Sequence, residues 1–368
     1  MWAVGRLQSS LAGADVLENV RRTGASLVGP VIADSSEAFG FEFVAMACPC
    51  EIRIAGVPIV DAQRLAELAI GEVRRIETKY SRYRSDSVIS QINAAAGKPD
   101  AAIGLDSETA QLINFAENLF ESSGGLFDCT SGVLRRAWDF KTQTPQLPDQ
   151  VTLATLLPLV GWQHVAWDGE RIALTRQGME LDLGGFGKEY AVDRAAALLE
   201  AAGVKHGLVN LGGDVRVLGP RLNGAPWHIG IRDPRAPEHD DDRCFASIAI
   251  SQGAIATSGD YERFIEVNGQ RYCHILNPHT GWPVSHWRSV SVLGPLCVLA
   301  GSLATIAMLK ADQAVTFLES EGVSYLLSDA NGKLTRRTLD AARDPTGSVP
   351  KATAGSVHGS AREKKKKR

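Results

Sequence analysis

Apolar and polar positions recur along this chain at two different periods, and the changes from one period to the other predict its elements. Residues 41–54 alternate with a period near two, as a half-buried strand does. Residues 60–79 place apolar side chains at helical spacing, with charges on the opposite face. A second amphipathic helix is expected over 107–122, stopped by Gly124-Gly125, and a third over 151–157, stopped at Pro158. His164-Val165-Ala166-Trp167 and Ile172-Ala173-Leu174-Thr175 flank Asp168-Gly169, a hairpin signal. A strand over 180–183 leads into a glycine turn, and an alanine-rich helix over 190–202 ends at Gly203. Strands are expected over 206–211 and 214–218 around Gly212-Gly213, and again over 229–232, 245–250, 254–257 and 323–328. Helices are expected over 300–310 and 313–320. This order lacks strict strand-helix alternation, so it predicts an α+β fold with a mixed, largely antiparallel sheet and packed helices.

With 368 residues, 44% of them hydrophobic, the chain has ample material for a core. Residues 39–335 are expected to form one domain. Segment 1–38 is expected to be peripheral, and 345–368, which ends in a Lys/Arg run, to be a disordered basic tail. A formal net charge of −3 argues against nucleic acid as a partner. No apolar run approaches a membrane span, and the start lacks a secretory signal pattern, so a cytoplasmic protein is expected. The scattered cysteines suit a reducing compartment, and Cys48-Pro49-Cys50 lacks the further ligands that zinc would need.

The most informative stretch is Asp182-Leu183-Gly184-Gly185-Phe186-Gly187-Lys188. It runs from a strand through glycines to a lysine at a helix start, where unpaired N–H groups and the helix dipole favour an anion. No Ser or Thr follows Lys188 and the G-x-G-x-x-G order is absent, so neither a nucleotide P-loop nor a dinucleotide fingerprint is present. An ordinary tight turn stays open. Three further segments invite chemistry. Tyr80-Ser81-Arg82-Tyr83-Arg84-Ser85-Asp86-Ser87 suits a flat ring and phosphates, or a solvated loop. Gly125-Leu126-Phe127-Asp128-Cys129-Thr130 suits a site, or a capped turn. Thr257-Ser258-Gly259-Asp260-Tyr261 and His274-Ile275-Leu276-Asn277-Pro278-His279-Thr280-Gly281 together suit a polar pocket. The G-x-S-x-G elbow of a serine hydrolase is absent.

Taken in order, and with Met46-Ala47-Cys48-Pro49 and Val209-Asn210-Leu211-Gly212-Gly213-Asp214, these blocks resemble the ApbE-type FAD:protein FMN transferase family over about residues 40–330. The resemblance implies a T-fold-like flavin transferase architecture, FAD as substrate and Mg2+ as cofactor. It also implies transfer of FMN to a Thr or Ser hydroxyl of an acceptor flavoprotein, with release of AMP. It places Met46, Tyr83, Phe127, Asp128, Asp182, Lys188 and Ile275 around FAD, and His274 as the base for the attacking hydroxyl. It assigns the metal to the Gly185 carbonyl, Thr305 and position Gly301. Two positions depart from the family pattern. An Ala-Asp-Ala-Leu-Ala-Thr segment reads Ala300-Gly301-Ser302-Leu303-Ala304-Thr305 here, so Gly301 replaces a carboxylate. Glu189 stands where many relatives have glycine. An FAD pyrophosphatase yielding FMN and AMP, using the same electrophile and metal, is one alternative, and a non-catalytic flavin-binding carrier, its chemistry weakened by the missing carboxylate, is another.

Overall fold

Nine strands form one antiparallel sheet, and the helices collect mainly on one of its faces. The computed structural model describes residues 31–34, 38–98, 100–142, 144–235 and 243–338. The basic tail expected over 345–368, and nearly all of the peripheral segment expected over 1–38, lie outside these described residues.

In chain order the elements begin with β1 (Val31–Asp34), β2 (Ala38–Ala45), β3 (Cys48–Ala55), α1 (Ile59–Tyr80), α2 (Val88–Ala94), β4 (Ile103–Gly104) and α3 (Ser107–Ser123). Then follow α4 (Gln150–Leu156), β5 (Val165–Trp167), β6 (Arg171–Leu174), α5 (Gly187–Ala201), β7 (His206–Leu211), β8 (Asp214–Gly219), β9 (Trp227–Arg232) and β10 (Cys244–Ile250). The chain continues with β11 (Gly253–Gly259), β12 (Phe264–Val267), β13 (Gln270–Cys273), β14 (Trp287–Gly294), α6 (Cys297–Lys310), α7 (Ala314–Glu321), β15 (Ser324–Asp329) and β16 (Leu334–Arg337). The main sheet has the order β1-β2-β3-β7-β8-β11-β14-β15-β16, and β9-β10, β12-β13 and β4-β6-β5 form small separate sheets.

The two-residue alternation of the strands divides the core. In β7, Val209 and Leu211 point into the main core with Phe41, Ile52, Ile76 and Phe186, while Leu208 joins a smaller cluster with Val217 and Trp227 on the opposite face. Over the main face, α5 packs against α1 on one side and α6 on the other, and α6 lies on β11 and β14. Asp193 of α5 ties these helices together: its two carboxylate oxygens accept from the N–H groups of Cys297 at 2.9 Å and Val298 at 2.8 Å, satisfying the start of α6. This bond fixes where α6 carries its later residues toward the site.

Several expectations are corrected. Residues 41–54 are two strands, not one, turned at Met46-Ala47, whose φ angles of 51° and 58° make a two-residue hairpin turn without glycine. Segment 180–183 is not a strand. Its backbone is held instead by the Asn93 side chain, which accepts from Leu181 N–H at 2.7 Å and donates to the Leu181 carbonyl at 3.0 Å. Asp182 N–H donates to the Cys129 carbonyl. The helix expected from 190 begins earlier, at Gly187. The stretch Cys297–Glu321 is long and apolar enough to cross a membrane, contrary to expectation. Its apolarity serves the core, and it breaks at Ala311, where φ is 51°.

Asn93 therefore substitutes for a β-strand partner at the entry to the glycine turn. Asn93→Ala removes both bonds and leaves the Leu181 amide and carbonyl without their partner, so a loss of about 2 kcal/mol is expected in chemical denaturation. An unchanged midpoint and slope would show that water replaces the clasp at no cost.

Candidate active site

A cleft of about 370 Å³ opens where the β2-β3 turn, the end of α1, the start of α5, the β7-β8 bend and the end of β11 converge, with Thr305 of α6 on its lining. These are element ends, where backbone groups are left without partners in regular structure. Met46, Tyr83, Phe127, Asp128, Asp182, Gly185, Lys188, His274, Ile275 and Thr305 all line this one cleft. Gly301 does not: it faces the Glu189 side chain instead.

The start of α5 forms one wall. Phe186 occupies its N-cap and no side chain caps it, so the positive end of the helix faces the cleft beside Lys188. Gly185 is required by the packing, since a Cβ there would lie 2.8 Å from Phe127 Cζ. The Lys188 ammonium is bonded to the buried Asp214 carboxylate and donates to the Leu211 carbonyl at 3.3 Å. Burial works against its charge, but Asp214 and Glu189 outweigh that and hold Lys188 protonated above the ordinary lysine range. The other oxygen of Asp214 accepts from Thr257 N–H at 3.1 Å. Glu189 is buried and its Oε2 has no hydrogen-bond partner. Burial, and then the neighbouring Asp214 charge, push its carboxyl up to about 8.

Arginines form the opposite wall. Arg82 and Arg135 place their guanidinium groups 3.3 Å and 3.4 Å from Asp182 Oδ2, while Asp182 Oδ1 accepts from Gly184 N–H at 2.8 Å. Asp182 thus shapes the glycine turn and aims two cations at the cleft. The Arg82 guanidinium lies 5.0 Å from the centroid of the exposed Tyr83 ring, an arrangement suited to a flat partner at the cleft rim. Asp128 takes the capped-turn role. It accepts from Thr130 N–H and Oγ1 at 2.8 Å and 2.7 Å and from Trp162 N–H at 3.2 Å, and burial lifts its carboxyl above the usual range. Met46 donates its N–H to Glu77 at 2.7 Å, which pins the strained hairpin turn over the end of α1.

His274 brings an imidazole to the lining of the cleft. Its Nδ1 lies 3.2 Å from the Arg263 carbonyl, which only accepts, so Nδ1 carries the hydrogen and Nε2 is left with the lone pair. Burial lowers its pKa to about 4, with the Arg263 and Arg135 charges acting in the same direction. On α6, Thr305 Oγ1 pairs with Ser258 Oγ at 2.8 Å.

Arg135 and Arg263 belong to the site although the sequence did not single them out. Each lies just past a recognisable block: Arg135 beyond Gly125-Leu126-Phe127-Asp128, and Arg263 two residues after Asp260-Tyr261. A signal was present in each case, a cation directly downstream of a polar turn.

Known proteins are similar to this chain in sequence and in fold. Residues 46–327 match the model of the ApbE family. An FAD:protein FMN transferase of Vibrio cholerae is 30% identical over 260 residues, covering 69% of this chain and 76% of the relative. The enzyme of that name from Escherichia coli K12 is 27% identical over 293 residues, covering 76% of this chain and 81% of its own. Among solved structures, the ApbE protein of Thermotoga maritima aligns with a TM-score of 0.74 at 31% identity, over 82% of this chain and 97% of that one. The flavin transferase ApbE from Vibrio cholerae aligns with a TM-score of 0.70 at 26% identity, over 81% and 97%. The family match takes in every residue that lines the cleft, and the chain belongs to the ApbE family.

Proposed function

We propose that this chain is an FAD:protein FMN transferase that takes FAD into the cleft and hands its FMN moiety to a Thr or Ser hydroxyl of an acceptor protein. The observation that carries this reading is the meeting, in one cleft, of a neutral imidazole with a free Nε2 and an uncapped helix start flanked by Lys188. The acceptor hydroxyl oxygen attacks the phosphorus on the flavin side of the FAD diphosphate. The bond from that phosphorus to the bridging oxygen breaks, AMP leaves, and a phosphoester joins FMN to the acceptor. His274 Nε2 takes the hydroxyl proton as the new bond forms. Lys188, Arg135 and Arg263 face the charge that spreads over the phosphate oxygens.

Magnesium belongs to this reading. The lining supports it with hard oxygen donors: the Thr305 hydroxyl, the Gly185 carbonyl and the buried, unpartnered Glu189 Oε2. When bound, the ion would neutralise diphosphate charge and favour departure of AMP.

Incubation of the protein with FAD, Mg2+ and a candidate acceptor, followed by intact-mass spectrometry, tests the transfer. An acceptor gaining one FMN is expected. AMP and FMN without an adduct would make the protein a pyrophosphatase, and intact bound FAD alone would make it a carrier.

His274→Ala is expected to keep FAD affinity within a few-fold while turnover falls by about 100-fold or more, the usual contribution of a positioned base. Wild-type turnover in that variant removes His274 from the mechanism.

Activity requires His274 neutral, so the rate falls as pH drops through its pKa. In free enzyme that acidic limb, read from kcat/KM, is expected near about 4. Bound diphosphate offsets the Arg263 and Arg135 charges, so the corresponding limb in kcat is expected at higher pH. Coincident limbs would count against this coupling.

A further inference from the structure

We propose that Glu189 is the carboxylate ligand of the divalent cation and that Gly301 is the space that admits it. This rests on the reading above that a divalent cation works in the cleft. Glu189 lies on the cleft wall in the first turn of α5, is 9% exposed, and keeps Oε2 buried without a hydrogen-bond partner. A buried carboxylate oxygen with no donor is costly, and a cation is the partner that its surroundings lack.

The nearby protein cation is already committed. Lys188 is bonded to Asp214 and to the Leu211 carbonyl, and Asp214 uses its remaining oxygen on Thr257 N–H. Glu262 also lines this corner but is exposed, and Glu189 is the buried carboxylate there with an oxygen that has no hydrogen-bond partner. Thr305 and Ser258 share a hydrogen bond at 2.8 Å, and if Thr305 donates it, lone pairs on its oxygen stay available.

Packing explains why the carboxylate comes from α5. A Cβ built at Gly301 would lie 2.7 Å from Glu189 Cγ and 2.9 Å from Glu189 Oε1, so any larger residue at 301 displaces the side chain. Gly301 precedes Thr305 by one helical turn, which puts both on the same face of α6. The Glu189 carboxylate, lodged over Gly301, therefore fills the volume that a short acidic side chain from 301 would occupy, one turn from the Thr305 hydroxyl. The two residues are complementary: the glycine on α6 leaves the space that the acid on α5 occupies.

Mn2+ titrated alone into the apoprotein, with the free ion followed by electron paramagnetic resonance, reads this directly. Wild type is expected to bind saturably, and Glu189→Gln to lose about tenfold or more in affinity, a loss of the size seen when groups around a metal are removed. FAD affinity measured without metal, by flavin fluorescence, is expected to hold in Glu189→Gln, which keeps the size of the side chain. Gly301→Ala, which keeps the acid but crowds it, is expected to weaken Mn2+ as well. The double variant Glu189→Gly with Gly301→Asp is expected to bind Mn2+ more tightly than Glu189→Gly alone. Equal Mn2+ affinity in wild type and Glu189→Gln, or a double variant no tighter than Glu189→Gly, overturns the assignment and leaves the transferase reading standing. Wild type that binds no Mn2+, with or without FAD, overturns the role of the metal itself.

Discussion

The bond between Lys188 and Asp214 is the constraint around which the cleft is arranged. It joins the first turn of α5 to the β7-β8 bend at the centre of the sheet, so at the edge of the apolar core helix layer and sheet also meet at a charged pair. Burying two charges gains little net stability, but removing either one strands the other, which ties both elements to one relative position. That position puts the uncapped helix start, Thr257 and Glu189 around one space. The same pair occupies the lysine, and Oε2 of the acidic residue beside it is left without a hydrogen-bond partner.

Much of this was legible in the chain. The glycine turn, the lysine and the helix after it stand next to one another as the chain suggested, and they line the cleft. The amphipathic helices and most central strands followed from their periods. The elements that escaped did so for physical reasons. In β14, Ser289 and Ser291 are wholly buried, and Ser291 shares a hydrogen bond with Thr257, so polar residues point inward where alternation expects apolar ones. The β2-β3 turn carries Met46 and Ala47 at positive φ, which turn chemistry does not favour without glycine or asparagine. The β12-β13 hairpin is a different case, since Asn268-Gly269 is a strong turn signal and the flanking strands are merely short.

The entry to the glycine turn was misjudged in a more instructive way. Alternation in Glu180, Leu181, Asp182 and Leu183 is real, and Leu181 and Leu183 are buried as a strand would bury them. What no local pattern can tell is where the backbone finds its partners. Here they come from Asn93, on a short helix far away in the chain. The complementarity of Glu189 and Gly301 has the same origin. Each looks like a loss or an oddity along the chain, and only the packing of α5 on α6 makes one the answer to the other.

On the proposed reading, the cationic wall sets the state of the base as well as the place of the substrate. Before FAD arrives, burial and the charges of Arg263 and Arg135 hold His274 neutral, with its lone pair available but weakly basic. Such an imidazole is a poor proton acceptor in the empty cleft, which restrains activation of stray water. A diphosphate placed between these arginines and Lys188 reverses the local sign of the field and stabilises an imidazolium. The groups that recognise the substrate are therefore the groups that make the base strong enough to use it. Binding and basicity are linked through charge alone, without requiring any element of the fold to move.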